Sequence, residues 1–212
     1  MDVSRPSSAV VPTLDGPILE VLARTTRPLS GRQIHRLTGT GSEAGIRKAL
    51  TRLTEHGLVH AMQAGHAYLY TLNRAHLAAP IAEALAGLRA SFLHRLRTEL
   101  ATWPLAPVHA SLFGSAARAD GDTRSDIDLL LIRPKELQID DPCWHDQVSS
   151  LAEHVGAWTG NHAQIYDIDE AGLADHVHAG EAIVADWQRD AITLYGPDLD
   201  QLLRRLPTGG AR

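Results

Sequence analysis

Two short runs of the 212-residue chain carry residues that could do chemistry together. The first is Gly114-Ser115, which follows the alternating apolar stretch Val108 to Phe113. Where a strand turns into a helix, backbone N–H groups and a serine hydroxyl are presented to an anion, and a glycine lets a phosphate come close. The second, after a spacer of ten residues, is Asp126-Ile127-Asp128-Leu129, at the head of the apolar run Leu129-Leu130-Leu131-Ile132. The period of two along a strand puts both carboxylates on one face. Like charges at that spacing repel unless a cation joins them, and oxygen ligands favour Mg2+ or Mn2+. An acid pair entering a buried strand is costly without such a partner. A phosphate cradle near two cation-binding acids is equipment for chemistry on a nucleoside triphosphate.

These residues resemble the signature of the DNA polymerase beta-type nucleotidyltransferase superfamily, in particular its small bacterial minimal-nucleotidyltransferase branch. That pattern is a hydrophobic residue, Gly, Ser, a spacer, then Asp, hydrophobic, Asp, hydrophobic. Ala117-Arg118 within the spacer and Ser125 before the first aspartate fit the small-enzyme version. The resemblance implies metal-assisted attack of an acceptor hydroxyl on the α-phosphorus of a nucleoside triphosphate, with release of pyrophosphate. Gly114 and Ser115 would hold the β and γ phosphates, and Asp126 and Asp128 would ligate Mg2+ or Mn2+. Arg118, one turn into the following helix, could reach a phosphate oxygen or face solvent.

The resemblance also implies a third carboxylate on a neighbouring strand, and His162 to Ile168 reads as that strand. Asp167, between Tyr166 and Ile168, has the hydrophobic-acid-hydrophobic form and is taken as the third catalytic and metal-holding acid. Gln164, between Ala163 and Ile165, has the same surroundings without the charge. Alternation puts Gln164 and Asp167 on opposite faces, so only one can serve. If Gln164 holds the place, the general base is missing, and nucleotide binding without turnover becomes an open alternative. Members of this branch work in toxin-antitoxin pairs, which leaves a partner protein or a transfer RNA as possible acceptors.

The elements that must position these residues are preceded by a different pattern. Residues 1 to 13 read as a loose tail. Leu14, Ile18, Leu19 and Leu22 then mark a helix over about 15 to 25, and Ser30 caps a short one that Gly39 and Gly41 end. Ser42 caps a third helix, with Ile46, Ala49, Leu50 and Leu53 inward and Arg47, Lys48 and Arg52 outward. Two strands follow, Leu58 to Met62 and Ala67 to Leu72. This order resembles a winged helix-turn-helix domain over 14–73, which implies DNA as a partner, with Arg47, Lys48 and Arg52 as its nucleic-acid-binding residues. A leucine stripe, Leu77, Ile81, Leu85, Leu88, Phe92, Leu96 and Leu100, makes 76–103 a linking helix and a possible homodimer seam. The nucleotidyltransferase domain is expected over 106–206, with helices at about 142 to 157, 170 to 178, 180 to 192 and 198 to 205. The fold class expected is α+β: an N-terminal winged helix-turn-helix and a C-terminal mixed α/β domain. The rival reading is a transcription regulator whose second domain only binds nucleotide.

Charge divides along the same line. Residues 1–105 hold 12 Lys and Arg against 7 Asp and Glu, and residues 106–212 hold 8 against 18. A basic half suits phosphates and an acidic half suits cations. With 44% apolar and 21% charged residues, a disordered or fibrous chain is excluded. The single cysteine, Cys143, forms no internal disulfide, so a reducing, cytoplasmic setting is expected. The 12 histidines show no zinc spacing, and His176 and His178 read as surface residues. No apolar run is long enough to cross a bilayer.

Overall fold

The computed structural model describes residues 1–205, and the expected domain end at residue 206 lies outside them. The chain is α+β with two sheets, and it divides into two compact units, Arg5–Ser91 and Met1–Ser4 with Phe92 onward.

The Arg5–Ser91 unit opens with a 3-10 turn, Pro6–Ala9, and continues through α1 (Asp15–Ala23), β1 (Leu29–Ser30), α2 (Gly31–Thr38), α3 (Glu43–Glu55), β2 (Val59–Ala64) and β3 (Ala67–Leu72). The helix starts follow from capping chemistry. The Ser30 hydroxyl accepts from the Gln33 N–H while the Gln33 side chain accepts from the Ser30 N–H, a reciprocal capping box. The Ser42 hydroxyl accepts from the Gly45 N–H. The inward faces meet in one core, in which Ile18, Leu22, Ile34 and Leu50 are fully buried. The sheet order is β1-β3-β2, all antiparallel. A strand at Leu29–Ser30 was not expected from the sequence. Two residues carry no period, and only the open edge of β3 makes them a strand.

The long helix α4 (Ala79–Ala101) is continuous, and the division between units falls within it, between Ser91 and Phe92. Its leucine stripe is not all core. Leu77 and Ile81 are exposed, and Ala79 and Ala82 take the buried positions instead.

The second unit is built on a four-stranded sheet of order β6-β5-β4-β7. After α4 come β4 (His109–Phe113), α5 (Gly114–Arg118), β5 (Ile127–Arg133), α6 (Pro142–Thr159) and β6 (Ala163–Asp169). They are followed by α7 (Glu170–Ala179), α8 (Ala182–Asp190), β7 (Ile192–Tyr195) and α9 (Leu199–Leu203). β4 pairs antiparallel with β5 and β7, and β5 pairs parallel with β6 through the α6 crossover. Both faces are covered. Ile127, Leu129 and Leu131 join Phe92, Leu96, Trp144 and Val155 in one core, and Leu130 and Ile132 join Leu173, Trp187 and Leu202 in the other. That explains the unbroken apolar run of β5.

Two expectations are corrected here. The segment after residue 190, read as the end of a helix, contains β7, which pairs with the edge of β4 through Ile192, Thr193 and Tyr195. The first residues are also no loose tail. Val3 is buried in the core of this unit, and Met1–Ser4 belongs to it. Neither segment is long enough to show a period, and each is fixed by its distant partner.

Gly196 follows β7 at φ 77°, and a Cβ there would run into the carbonyl of Val108, a backbone group that cannot swing away. Gly196→Ala is therefore expected to cost about 2 kcal/mol through overpacking and a left-handed backbone. In urea titrations this appears as a lower midpoint with an unchanged slope.

Candidate active site

β4 ends at Phe113, and Gly114 turns the chain at φ 68° into α5. Antiparallel pairing sets Phe113 opposite Asp128, so the second aspartate of β5 stands beside this bend. Gly114 is required twice over. Its backbone lies in the left-handed region, and a Cβ would overlap Oδ2 of Asp128, with Cγ at 3.1 Å. Asp126 lies two residues earlier, in the loop that enters β5. The pKa of Asp128 is raised first by burial and then by the negative charge of Asp126, and Arg118 opposes both. Both acids therefore act on the space next to the Gly114-Ser115 bend.

Arg118 is not a free arm. Its Nε lies 2.9 Å from Asp120 and its Nη1 2.5 Å from the buried carboxylate of Asp190, which also binds Arg189. The pKa of Asp190 is lowered by Arg189 and then by Arg118. Ser125 braces the loop. Its hydroxyl accepts from the Asp122 N–H at 2.9 Å and donates to Asp122 Oδ1 at 3.1 Å. Ser115, Gly121, Ser125 and Asp126 line one small recess. The loop begins at Ala119, which holds φ 61° although it carries a Cβ.

Asp167 is not with these acids. In the parallel ladder Asp128 is the register partner of Gln164, and Leu131 is the partner of Asp167. Register partners in a ladder share a face, so Gln164 stands beside Asp128 and Asp167 points to the opposite side. There Asp167 accepts from Arg133 Nη1 at 2.8 Å and from Trp144 Nε1 at 2.8 Å, and Trp144 is fully buried. The hydrophobic-acid-hydrophobic form that selected Asp167 describes a buried acid but not its direction. The expectation of Asp167 as the third acid is therefore replaced by Gln164 at the neighbouring position.

Residues on the approach to β6 also reach this end of the sheet. His162 Nδ1 lies 3.9 Å from Asp126 Oδ1, and the His162 carbonyl accepts from the Ile127 N–H at 2.9 Å. The preceding Asn161 is buried and donates from Nδ2 to the Ser125 carbonyl at 2.9 Å. In the sequence, residues 158 to 161 fall between the helix expected at about 142 to 157 and the strand expected from His162. The signal that finds them is the β5–β6 register, which sets Ala163 beside Ile127. His176, expected at the surface, is turned inward, with Nε2 3.0 Å from the Tyr166 hydroxyl and its ring edge-on to Trp187.

Among the described residues, no group of three or more His, Cys, Asp or Glu side chains stands ready to hold a metal ion. The donor set that is present, one half-buried and one exposed carboxylate, is all oxygen and mutually repulsive, which fits Mg2+ or Mn2+ held by Asp126 and Asp128. Family models, curated proteins and solved structures return no match to this chain.

The residues expected to meet nucleic acid lie in the other unit, on α3. Arg47 and Lys48 are exposed and adjacent, whereas Arg52 forms an ion pair with Asp15 of α1. Cys143 is exposed and free, at the start of α6.

The two aspartates on opposite faces give opposite expectations. Asp167→Asn should cost about 2 kcal/mol, because it removes the nearer of the two carboxylates beside the largely buried Arg133, leaving Asp169 at 3.9 Å, and should leave Mn2+ affinity unchanged. Asp128→Asn should do the reverse. A carboxyl whose folded pKa is raised binds protons more tightly when folded, so the stability it contributes falls as pH rises from its unfolded value through the folded one. Removing that charge should raise the metal-free melting temperature at neutral pH and abolish Mn2+ binding. Calorimetric melting and Mn2+ titration of both variants check this.

Proposed function

We propose that the unit from Phe92 onward holds a nucleoside triphosphate with a divalent cation at the Gly114-Ser115 bend and transfers its nucleotidyl group to an acceptor hydroxyl. The observation that carries this reading is the placement of Asp128, against the glycine of the bend and under the charge of Asp126. A half-buried acid beside an exposed one is disfavoured in its charged form, and a divalent cation is the ligand that reverses the sign of that interaction.

In this reading Asp126 and Asp128 hold the cation, which when bound neutralises phosphate charge during displacement. The Gly114-Ser115 backbone and the Ser115 hydroxyl face the phosphates. A new bond forms from the acceptor oxygen to the α-phosphorus, the bond from that phosphorus to the bridging oxygen breaks, and pyrophosphate leaves. Gln164 is an amide and cannot take the acceptor proton, which in this reading goes to solvent. A positioned base is worth about 10²- to 10⁴-fold, so the reaction proposed here is a slow one.

The same amide favours a second reading, in which the site senses a nucleotide without turning it over. The Arg5–Ser91 unit supports a partner for such a sensor. Its three helices followed by an antiparallel pair resemble a winged helix-turn-helix, with Arg47 and Lys48 of α3 available to DNA phosphates. We read this unit as the DNA-binding module in either case.

Incubation with a nucleoside triphosphate labelled at the α-phosphate, followed by recovery of labelled acceptor, tests the first reading. Asp128→Asn should abolish transfer, and Gln164→Asp should raise it about 100-fold by restoring a base. Nucleotide binding with no transfer in either the parent or the Gln164→Asp protein would leave only the sensor. For the DNA module, Arg47→Ala and Lys48→Ala should each lower the slope of log affinity against log salt by about one, with a smaller change for Arg52→Ala, whose charge Asp15 already offsets.

A further inference from the structure

The loop that brings Asp126 to the site is held from outside by residues that neither touch a phosphate nor bind a cation. Residues 119 to 126 connect α5 to β5, and their internal bonds, Asp122 with Arg124 and Ser125, shape a local turn without fixing it to the body of the fold. The Asp120 N–H bond to the Ser115 carbonyl and the Arg118–Asp120 ion pair tie its start to α5, and two further bonds reach it from more distant parts of the chain. At one end the Gly121 N–H donates to Ser4 Oγ at 3.1 Å. At the other, Asn161 Nδ2 donates to the Ser125 carbonyl at 2.9 Å, immediately before Asp126. The two are linked, because Asn161 Oδ1 accepts from the Met1 nitrogen at 2.6 Å, and that nitrogen also donates to the Thr159 carbonyl at 2.8 Å. Between these bonds Val3 is buried in the core, which anchors the segment. The amide of Asn161 has one orientation that satisfies both neighbours, since a flip would set donor against donor and acceptor against acceptor. Asn161 is 6% exposed, so water cannot easily replace either bond.

We propose that Ser4 and Asn161 are positioning residues for the cation site: they clamp the 119–126 loop to the Met1–Ser4 segment and so fix where the Asp126 carboxylate stands relative to Asp128. The inference rests on the reading of Asp126 and Asp128 as a divalent-cation pair. Asp128 needs no such help, because it lies inside β5 with ladder bonds on both sides. Asp126 precedes the strand and is half exposed, so its place depends on what holds the loop. A ligand left free to move loses affinity through the freedom it must give up on binding.

The test uses the full chain carrying Ser4→Ala, Ser4→Thr or Asn161→Ala. Amide hydrogen exchange across 119 to 126 is measured without metal, Mn2+ affinity by electron paramagnetic resonance, and the melting temperature by calorimetry. Ser4→Ala should speed exchange at Gly121 and weaken Mn2+ binding about threefold, Asn161→Ala should weaken it about tenfold, and Ser4→Thr, which keeps the hydroxyl, should restore the parent behaviour. If Asn161→Ala unfolds, the Ser4 pair alone decides the matter, since Ser4 lies at the end of the segment and outside the core. Unchanged Mn2+ affinity in Ser4→Ala, in a protein whose parent binds Mn2+ and whose Asp128→Asn form does not, overturns the positioning role and leaves the cation site standing. A parent that binds no Mn2+ overturns the cation site, and the positioning role with it.

Discussion

The arrangement on which the rest of this unit depends is a repulsion. Asp126 and Asp128 act on one space, and the pKa of Asp128, raised first by burial beside Gly114, is raised further by the charge of Asp126. Stability alone would not select this. An amide or an aliphatic side chain at residue 128 would relieve the conflict of charge. The surrounding structure instead holds the conflict in place. β4 and β5 pair in a register that brings residue 128 to the bend, and both faces of β5 are sealed by apolar layers that fix the strand.

Parity decides which other residues can take part. Side chains alternate along β6, and the ladder ties that alternation to β5, so one choice of register assigns every residue from 163 to 169 to one face or the other. Gln164 falls with Asp128. Asp167, three residues on, falls against Arg133 and Trp144, where it satisfies a buried indole N–H and a largely buried guanidinium. Its negative charge is therefore used in the fold. A carboxylate bound this way is not available to a cation on the far face of the sheet, whatever its sequence surroundings resemble.

What was legible in the sequence was whatever short range decides. Ser30 with Gln33, and Ser42 ahead of a helical stripe, state where helices begin, because a cap is satisfied within three residues. The bend at Gly114-Ser115 was legible for the same reason, since a turn is a local property, whereas Asp126 lies in the loop before β5, outside the strand to which the period of two assigns it. The rest depends on partners far along the chain. β1 and β7 are strands only because β3 and β4 offer open edges, and Val3 is core only because it joins the apolar cluster that also holds Phe92 and Val155. The inward turn of His176 requires Tyr166 and Trp187. The direction of Asp167 requires a register that no window of the sequence contains.

The electrostatics of the loop bear on what can bind there. From Arg118 to Asp128 the chain carries four acids, Asp120, Asp122, Asp126 and Asp128, against Arg118 and Arg124. Arg118 is further committed to Asp190, whose carboxylate is buried and also holds Arg189. The one contact of Arg118 that a ligand could displace at low cost is the exposed Asp120. A triphosphate approaching alone would thus meet net negative charge, with a single arginine partly engaged elsewhere. Backbone N–H groups at the bend contribute only partial charges, too small to offset two carboxylates at short range. In the reading proposed above, an anionic ligand enters this bend together with a cation held by the aspartates, so nucleotide and metal would bind as a pair, each supplying the charge the other lacks.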